Sequence, residues 1–257
     1  MRAALVALLF VACAEKAPPP KPAPTPEAAP MPVKIMPSAK TPKGVSLPDY
    51  KTVSFENGLK LILLEKREVP LVAFHARIAG GALADPADKA GTGSLLAELM
   101  SKGAGNRDAK SFAEAIDAVG GEFDISVGLE SLELSGEFLS RNQDLMLELL
   151  ADSLRKPRLA KSEFEKIRTR AVQSIAAAKD QSPQGLIGYY GRAFVYGDHP
   201  YGRAVDGSER SLGQVTYGDV KAYFRDQLGA DRTTLVVVGD FDSGAMEEAV
   251  RARLGDW

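Results

Sequence analysis

From residue 49 onward the apolar positions alternate between two periods. Val53 and Phe55, the turn pair Asn57-Gly58, and Leu59, Leu61 and Leu63 read as two short strands joined by a tight turn. Leu71 to Ile78 is a third apolar run and closes on Gly80-Gly81. Helical spacing follows over 94–102 and 111–119, the second entered through Ser111-x-x-Glu114 or, one turn earlier, at Asp108. Period two returns in 122–129 and 131–138. Phe123, Ile125, Val127, Leu132 and Leu134 fall on one face of that hairpin, and Glu122, Asp124, Ser126, Glu133 and Ser135 on the other. Ser140-x-x-Gln143 opens a helix with Leu145, Leu149 and Leu150. Ser162-x-x-Glu165 opens a longer one with Phe164, Ile167, Ala171, Val172 and Ile175 along one side. Further helices are predicted at 184–196, 217–228 and 245–254, with a buried strand over Leu235–Val238. Hairpins alternating with helix pairs predict an α+β fold, a two-layer α/β sandwich.

The first 48 residues follow neither period. Met1-Arg2 precedes ten unbroken apolar residues, Ala3 to Ala12, and then Cys13. That run is too short to cross a bilayer and has the length of a secretory leader. Small residues before the chain's one cysteine resemble a lipobox, although Phe10 stands where leucine is common. An ordinary secretory leader with an incidental cysteine is the competing reading. Ala14 follows instead of an aspartate, which favours an outer-membrane anchor facing the periplasm. Eleven of the sixteen prolines lie between Pro18 and Pro48. Such a composition predicts an extended tether, because it offers too little apolar surface to offset ordering entropy. The organisation is therefore a leader at 1–13, a tether at 14–48 and one domain at 49–257.

Composition narrows the chemistry. A hydrophobic share of 45% supports a sizeable core, and 32 basic against 34 acidic residues remove nucleic-acid binding by bulk charge. One cysteine excludes an intrachain disulfide and a thiolate zinc cluster, and two histidines, His75 and His199, exclude a three-imidazole site. No Gly-x-Ser-x-Gly elbow occurs. Gly91-Thr92-Gly93-Ser94 lacks the remaining residues of a dinucleotide fingerprint or P-loop and reads as a glycine turn capped by Thr92 or Ser94.

Taken in order, Asn57-Gly58-Leu59, Gly80-Gly81, Lys89-Ala90-Gly91-Thr92, Lys102-Gly103-Ala104 and Asp117 to Gly121 resemble the insulinase (pitrilysin-type) metallopeptidase family. Leu150-Ala151-Asp152 with Pro157, His199-Pro200-Tyr201-Gly202-Arg203, Val238 to Phe241 and Leu254 to Trp257 continue the resemblance across 49–257. It implies the two-layer sandwich of the mitochondrial processing peptidase-like type. It also implies a longer protein of which this domain is the first half.

Active members of that family carry His-x-x-Glu-His on the helix after the glycine, where two imidazoles bind zinc and the glutamate activates water. Laid without gaps between Gly91 and Gly103, those positions are Ser94, Ala97 and Glu98. The third ligand, a glutamate on a later helix, falls on Gln173 or Ser174. The resemblance thus implies a domain with no catalytic residues and no zinc of its own. Such a chain would pair with a zinc-bearing homologue to enclose a peptide-holding chamber. A scaffold or binding lipoprotein without proteolytic role is the alternative, and an active zinc peptidase stands further off because the ligands are missing.

If Cys13 carries lipid, Cys13→Ser abolishes acyl labelling and releases the protein from membranes or blocks its processing. A mutant that fractionates like the wild type would show that the cysteine is incidental.

Overall fold

The computed structural model describes residues 48–181 and 183–257. The leader with Cys13, and the tether as far as residue 47, lie outside the described residues. In the first hairpin, β1 (Lys51–Ser54) runs antiparallel to β2 (Lys60–Glu65), with Ser54 opposite Lys60. Gly58 takes φ 90° in the turn, and the Asn57 amide donates to the carbonyls of Leu254 (2.7 Å) and Trp257 (3.1 Å). The turn pair legible in the sequence therefore also fastens the last helix to the first hairpin.

Three more strands follow the expected spans: β3 (Leu71–Ala79), β4 (Glu122–Val127) and β5 (Ser131–Leu139). The sixth, β6 (Thr233–Gly239), inserts parallel to β2 and antiparallel to β3, giving the order β1-β2-β6-β3-β5-β4. Register places Leu61 beside Leu235, Ala76 beside both Leu235 and Leu134, and Leu134 beside Ile125. All are buried or nearly so, and they define the covered face. Glu122, Asp124, Ser126, Glu133 and Ser135 share the opposite face, as the alternation predicts.

Eight helices accompany the sheet among the described residues. The first four are α1 (Thr92–Met100), α2 (Ala109–Asp117), α3 (Gln143–Arg155) and α4 (Lys161–Gln181). The others are α5 (Pro183–Tyr196), α6 (Glu209–Gln214), α7 (Tyr217–Gln227) and α8 (Ser243–Leu254). The two-layer α/β sandwich is the observed architecture, with α1 against β4, α3 against β5 and α8 against β2.

Of the two starts the sequence left open for α2, the earlier one holds: Asp108 is the N-cap, accepting from the Ser111 N–H at 2.9 Å. Several other helix starts differ from expectation. Ser140 lies in a 3-10 turn (Ser140–Asn142) ahead of α3 and donates to Asp240 Oδ2 at 3.2 Å. Short α6, capped by Ser208, was not foreseen, because a six-residue helix carries too few turns to show a period.

The start of α1 is the most consequential departure. Neither Thr92 nor Ser94 caps it; the N-cap is Gly91 in the left-handed region (φ 95°). Asp85, only 4% exposed, supplies the acceptors. Its Oδ2 takes the Gly91 N–H at 2.7 Å and its Oδ1 the Gly93 N–H at 2.8 Å. A carboxylate there satisfies orphan donors and meets the positive end of the helix dipole. Tyr223 of α7 closes the same corner by donating to the Gly81 carbonyl at 2.7 Å. Beyond the C-terminus of α1, Gly103 holds φ 113°, and a Cβ there would stand 2.5 Å from the Arg107 carbonyl oxygen.

Burial pushes the Asp85 carboxyl up to about 6, against the opposing pull of the Gly93 and Gly91 N–H bonds. A carboxyl raised in the folded state means that the native protein binds more protons than the unfolded chain between pH 4 and 6. Stability therefore falls as pH rises through that window, by roughly 2–3 kcal/mol from this group. Denaturant unfolding from pH 4 to 7 should show that slope, and Asp85→Asn should flatten it. An unchanged slope in Asp85→Asn would assign it to other groups.

Candidate functional site

On α1 the apolar residues Leu95, Leu96, Leu99 and Met100 are buried, so the helix turns Ser94 and Glu98, one turn apart, toward the remaining side. That side borders an open groove of about 300 Å3 between α1 and β4. Ser94, Ala97, Glu98 and Ser101 form one wall, residues 123–127 the other, and Asp206 one end. The tertiary structure thus gathers the three α1 positions singled out by sequence into one concavity.

Each of those positions has an occupation of its own. The Ser94 hydroxyl donates to Asp206 Oδ1 at 3.0 Å. Ala97 presents a buried methyl group. Glu98 forms an ion pair with Arg170 of α4, a direct tie between the two helices. Ser174 lies one turn beyond Arg170 on α4 and is exposed, as is Gln173. Arg170 and Asp206 were not singled out by sequence. For Arg170 a signal existed, a cation one helical turn before the third-ligand position. Asp206, in an irregular segment before α6, offered none.

Zinc in a protein site takes imidazole, thiolate or carboxylate donors, usually four in a tetrahedron. At the positions matching the zinc motif the side chains are two hydroxyls, a methyl group and one carboxylate, Glu98, already matched by a guanidinium. Asp124 and Asp206 also line the groove, and Asp206 accepts from Ser94. A fixed positive charge beside Glu98 opposes a cation at that point. These residues do not fit a zinc site. Among the described residues, no group of three or more His, Cys, Asp or Glu side chains is arranged to hold a metal.

The two histidines are elsewhere. His75 is on the open face of β3, with its Nε2 3.8 Å from Glu133 Oε2. His199 caps the 3-10 turn Pro200–Gly202 by accepting from the Tyr201 N–H at 3.2 Å. Its ring lies 5.2 Å from that of Tyr201, whose hydroxyl donates to Glu130 in the β4–β5 turn. The His-Pro-Tyr-Gly segment therefore ties the chain after α5 to the end of the sheet.

The second feature beside the groove is β4 itself. Among the described residues it is the last strand of the sheet and pairs only with β5. Its outer row of backbone N–H and C=O groups has no strand partner among the described residues, which makes it a template for an added extended chain.

Comparison with known proteins agrees with this geometry. An uncharacterized zinc protease from Mycobacterium leprae is 28% identical over 198 residues, which is 77% of this chain and 44% of the relative. A solved peptidase M16 inactive domain from Pseudomonas fluorescens superposes with a TM-score of 0.74 at 23% identity, covering 79% of this chain and 50% of that one. The first half of the periplasmic protease PqqL from Escherichia coli gives 0.71 at 16% identity, covering 82% and 47%. At these identities the structural matches establish the fold. The chain spans about half the length of each of these relatives. The model of the insulinase family (peptidase family M16) matches residues 61–205, more than half of the sequence. The chain belongs to the insulinase family.

Proposed function

We propose that this domain is a non-catalytic member of the family that holds peptide for a zinc-bearing homologue. The observation that carries the reading is the Glu98–Arg170 ion pair, standing where active members bind metal, beside a groove that has stayed open. Ala97 offers no carboxylate to activate water, and neither Ser94 nor Ser174 is a metal-binding donor. The domain has no group to attack a peptide bond through a metal, yet it keeps the two elements that would hold a peptide. Edge strand β4 can pair with an extended backbone, and the groove beside it can take side chains. The polar open face, with Glu122, Asp124, Ser126, Glu133 and Ser135, suits the wall of a water-filled chamber. Cleavage would then fall to the partner, and the domain's contribution would be enclosure and register.

The location proposed for this activity is the periplasmic side of the outer membrane, through lipid on Cys13. The apolar run before Cys13 and the proline-rich stretch after it support this reading.

Purified protein is expected to hold no stoichiometric zinc and to cleave no peptide alone. Metal analysis finding about one tightly held zinc per chain would overturn this. The converse test combines Ser94→His, Ala97→Glu, Glu98→His and Ser174→Glu. That variant is expected to gain zinc only when Arg170→Ala is added, because the guanidinium otherwise occupies the coordination space. For pairing, the full chain is co-expressed with an insulinase-family chain of the same genome that retains His-x-x-Glu-His. Size exclusion should show a heterodimer, with peptidase activity above that of the partner alone. Separate elution together with full activity of the lone partner would leave only the scaffold role.

A further inference from the structure

The groove between α1 and β4 has a closed end. Asp85, which accepts the Gly91 and Gly93 N–H groups at the start of α1, directly follows the 3-10 turn Gly81–Ala84. In that turn the Ala82 and Leu83 N–H groups donate to the carbonyls of Gly128 and Leu129, just past Val127. The start of α1, and Ser94 with it, therefore stands at the Val127 end of β4. The segment between α5 and α6 crosses from helix to strand at this end. The Tyr201 hydroxyl donates to Glu130 in the β4–β5 turn, Arg203 Nη1 donates to the Asp85 carbonyl at 3.3 Å, and Asp206 Oδ1 accepts from the Ser94 hydroxyl at 3.0 Å. Left-handed glycines bracket the segment, Gly197 at φ 54° and Gly207 at φ 75°. A Cβ on Gly207 would stand 2.3 Å from the Ala90 carbonyl oxygen, so the chain can return against the helix start only through glycine.

The end wall presents a carboxylate. Asp206 is exposed and, among the described residues, is matched by the neutral Ser94 hydroxyl and not by a cation, unlike Glu98, which Arg170 neutralises. Its Oδ2 is left for a further donor. Along the strand wall, residues 123–127 give room to pair roughly 17 Å of extended chain. A segment from the middle of a chain would have to pass through the Tyr201–Glu130 and Ser94–Asp206 ties, whereas a chain terminus stops at them. Of the two termini, a carboxylate would meet Asp206 with like charge. An ammonium brings several N–H donors and the opposite charge.

We infer that this groove takes the N-terminal end of an extended peptide, laid antiparallel to β4 with its α-ammonium group on Asp206. Direction follows from the closed end: β4 runs toward it, so a chain that starts there runs against β4. Backbone pairing with the strand edge holds the first few residues whatever their sequence, and the single charge contact at the end wall sets register. The Ser94 hydroxyl orients the carboxylate, which makes Ser94 a positioning residue for the ammonium. Glu98 contributes nothing to this contact because its charge is already answered by Arg170. The inference rests on the peptide-holding reading above and adds which part of the peptide is held and in which direction.

The test uses the full chain and a pool of random-sequence decapeptides prepared with free termini, with an acetylated N-terminus or with an amidated C-terminus. Bound peptide is measured by equilibrium dialysis and mass spectrometry. Peptides with a free amine should be retained about tenfold better than their acetylated counterparts, the weight of one charge-assisted contact. Amidation of the C-terminus should change nothing. Asp206→Asn keeps an acceptor for Ser94 but loses the charge, so the preference for a free amine should vanish. Thermal unfolding of that variant should match the wild type, because the residue is exposed. If acetylated peptides bind as well as free ones, peptide holding stands and the inference is overturned. If amidation weakens binding and acetylation does not, the direction is reversed and the inference is likewise overturned. If Asp206→Asn keeps the full preference, the ammonium is held elsewhere and the assignment of Asp206 fails. If no peptide of any pool is retained, the peptide-holding reading fails and the inference goes with it.

Discussion

The contact from Asp85 to the first turn of α1 governs the geometry of the site. A buried carboxylate accepts two backbone N–H groups at a helix start where glycine leaves no side chain to do so. Without it, α1 would begin with unsatisfied donors in an apolar corner, a cost on the order of 1–3 kcal/mol per group. The contact carries its own penalty, visible in the raised carboxyl, because a desolvated charge is tolerated only where the helix end answers it. Its return is position: with the start of α1 fixed, Ser94, Ala97 and Glu98 face the groove and the leucines face the core.

With α1 fixed at its start, its link to α4 becomes the informative feature. A metal held by residues of two helices is also a cross-link between them. In this chain the Glu98–Arg170 ion pair makes the corresponding link with side chains alone. Both partners are partly exposed, so the pair adds little stability by itself. Its consequence is local, since the guanidinium matches Glu98, the one carboxylate on the α1 wall of the groove. The Ser94–Asp206 hydrogen bond acts in the same sense at the other end. The concavity and the adjacent strand edge stay open among the described residues.

What the sequence determined by itself was everything set by local backbone geometry. Period two in 71–78, 122–129 and 131–138 placed β3, β4 and β5 because side chains on a strand alternate faces whatever it pairs with. Helical spacing placed α1, α4, α5 and α7 within a few residues, and Asn57-Gly58 marked the first hairpin. The position of Ser94, Ala97 and Glu98 on one helix was likewise legible, because four residues make about one turn. Only the tertiary structure decided what those residues meet. Ser94 and Asp206 lie 112 residues apart, and β6 enters between β2 and β3 after most of the chain has passed. Asp85 reads as an ordinary loop aspartate until folding buries it against a helix end, and α5 reads only as a helix over 184–196 until Ile187 and Phe194 are found facing water. Periodicity states which side of an element is apolar. It does not state what will cover that side, because burial is a property of distant contacts and not of spacing.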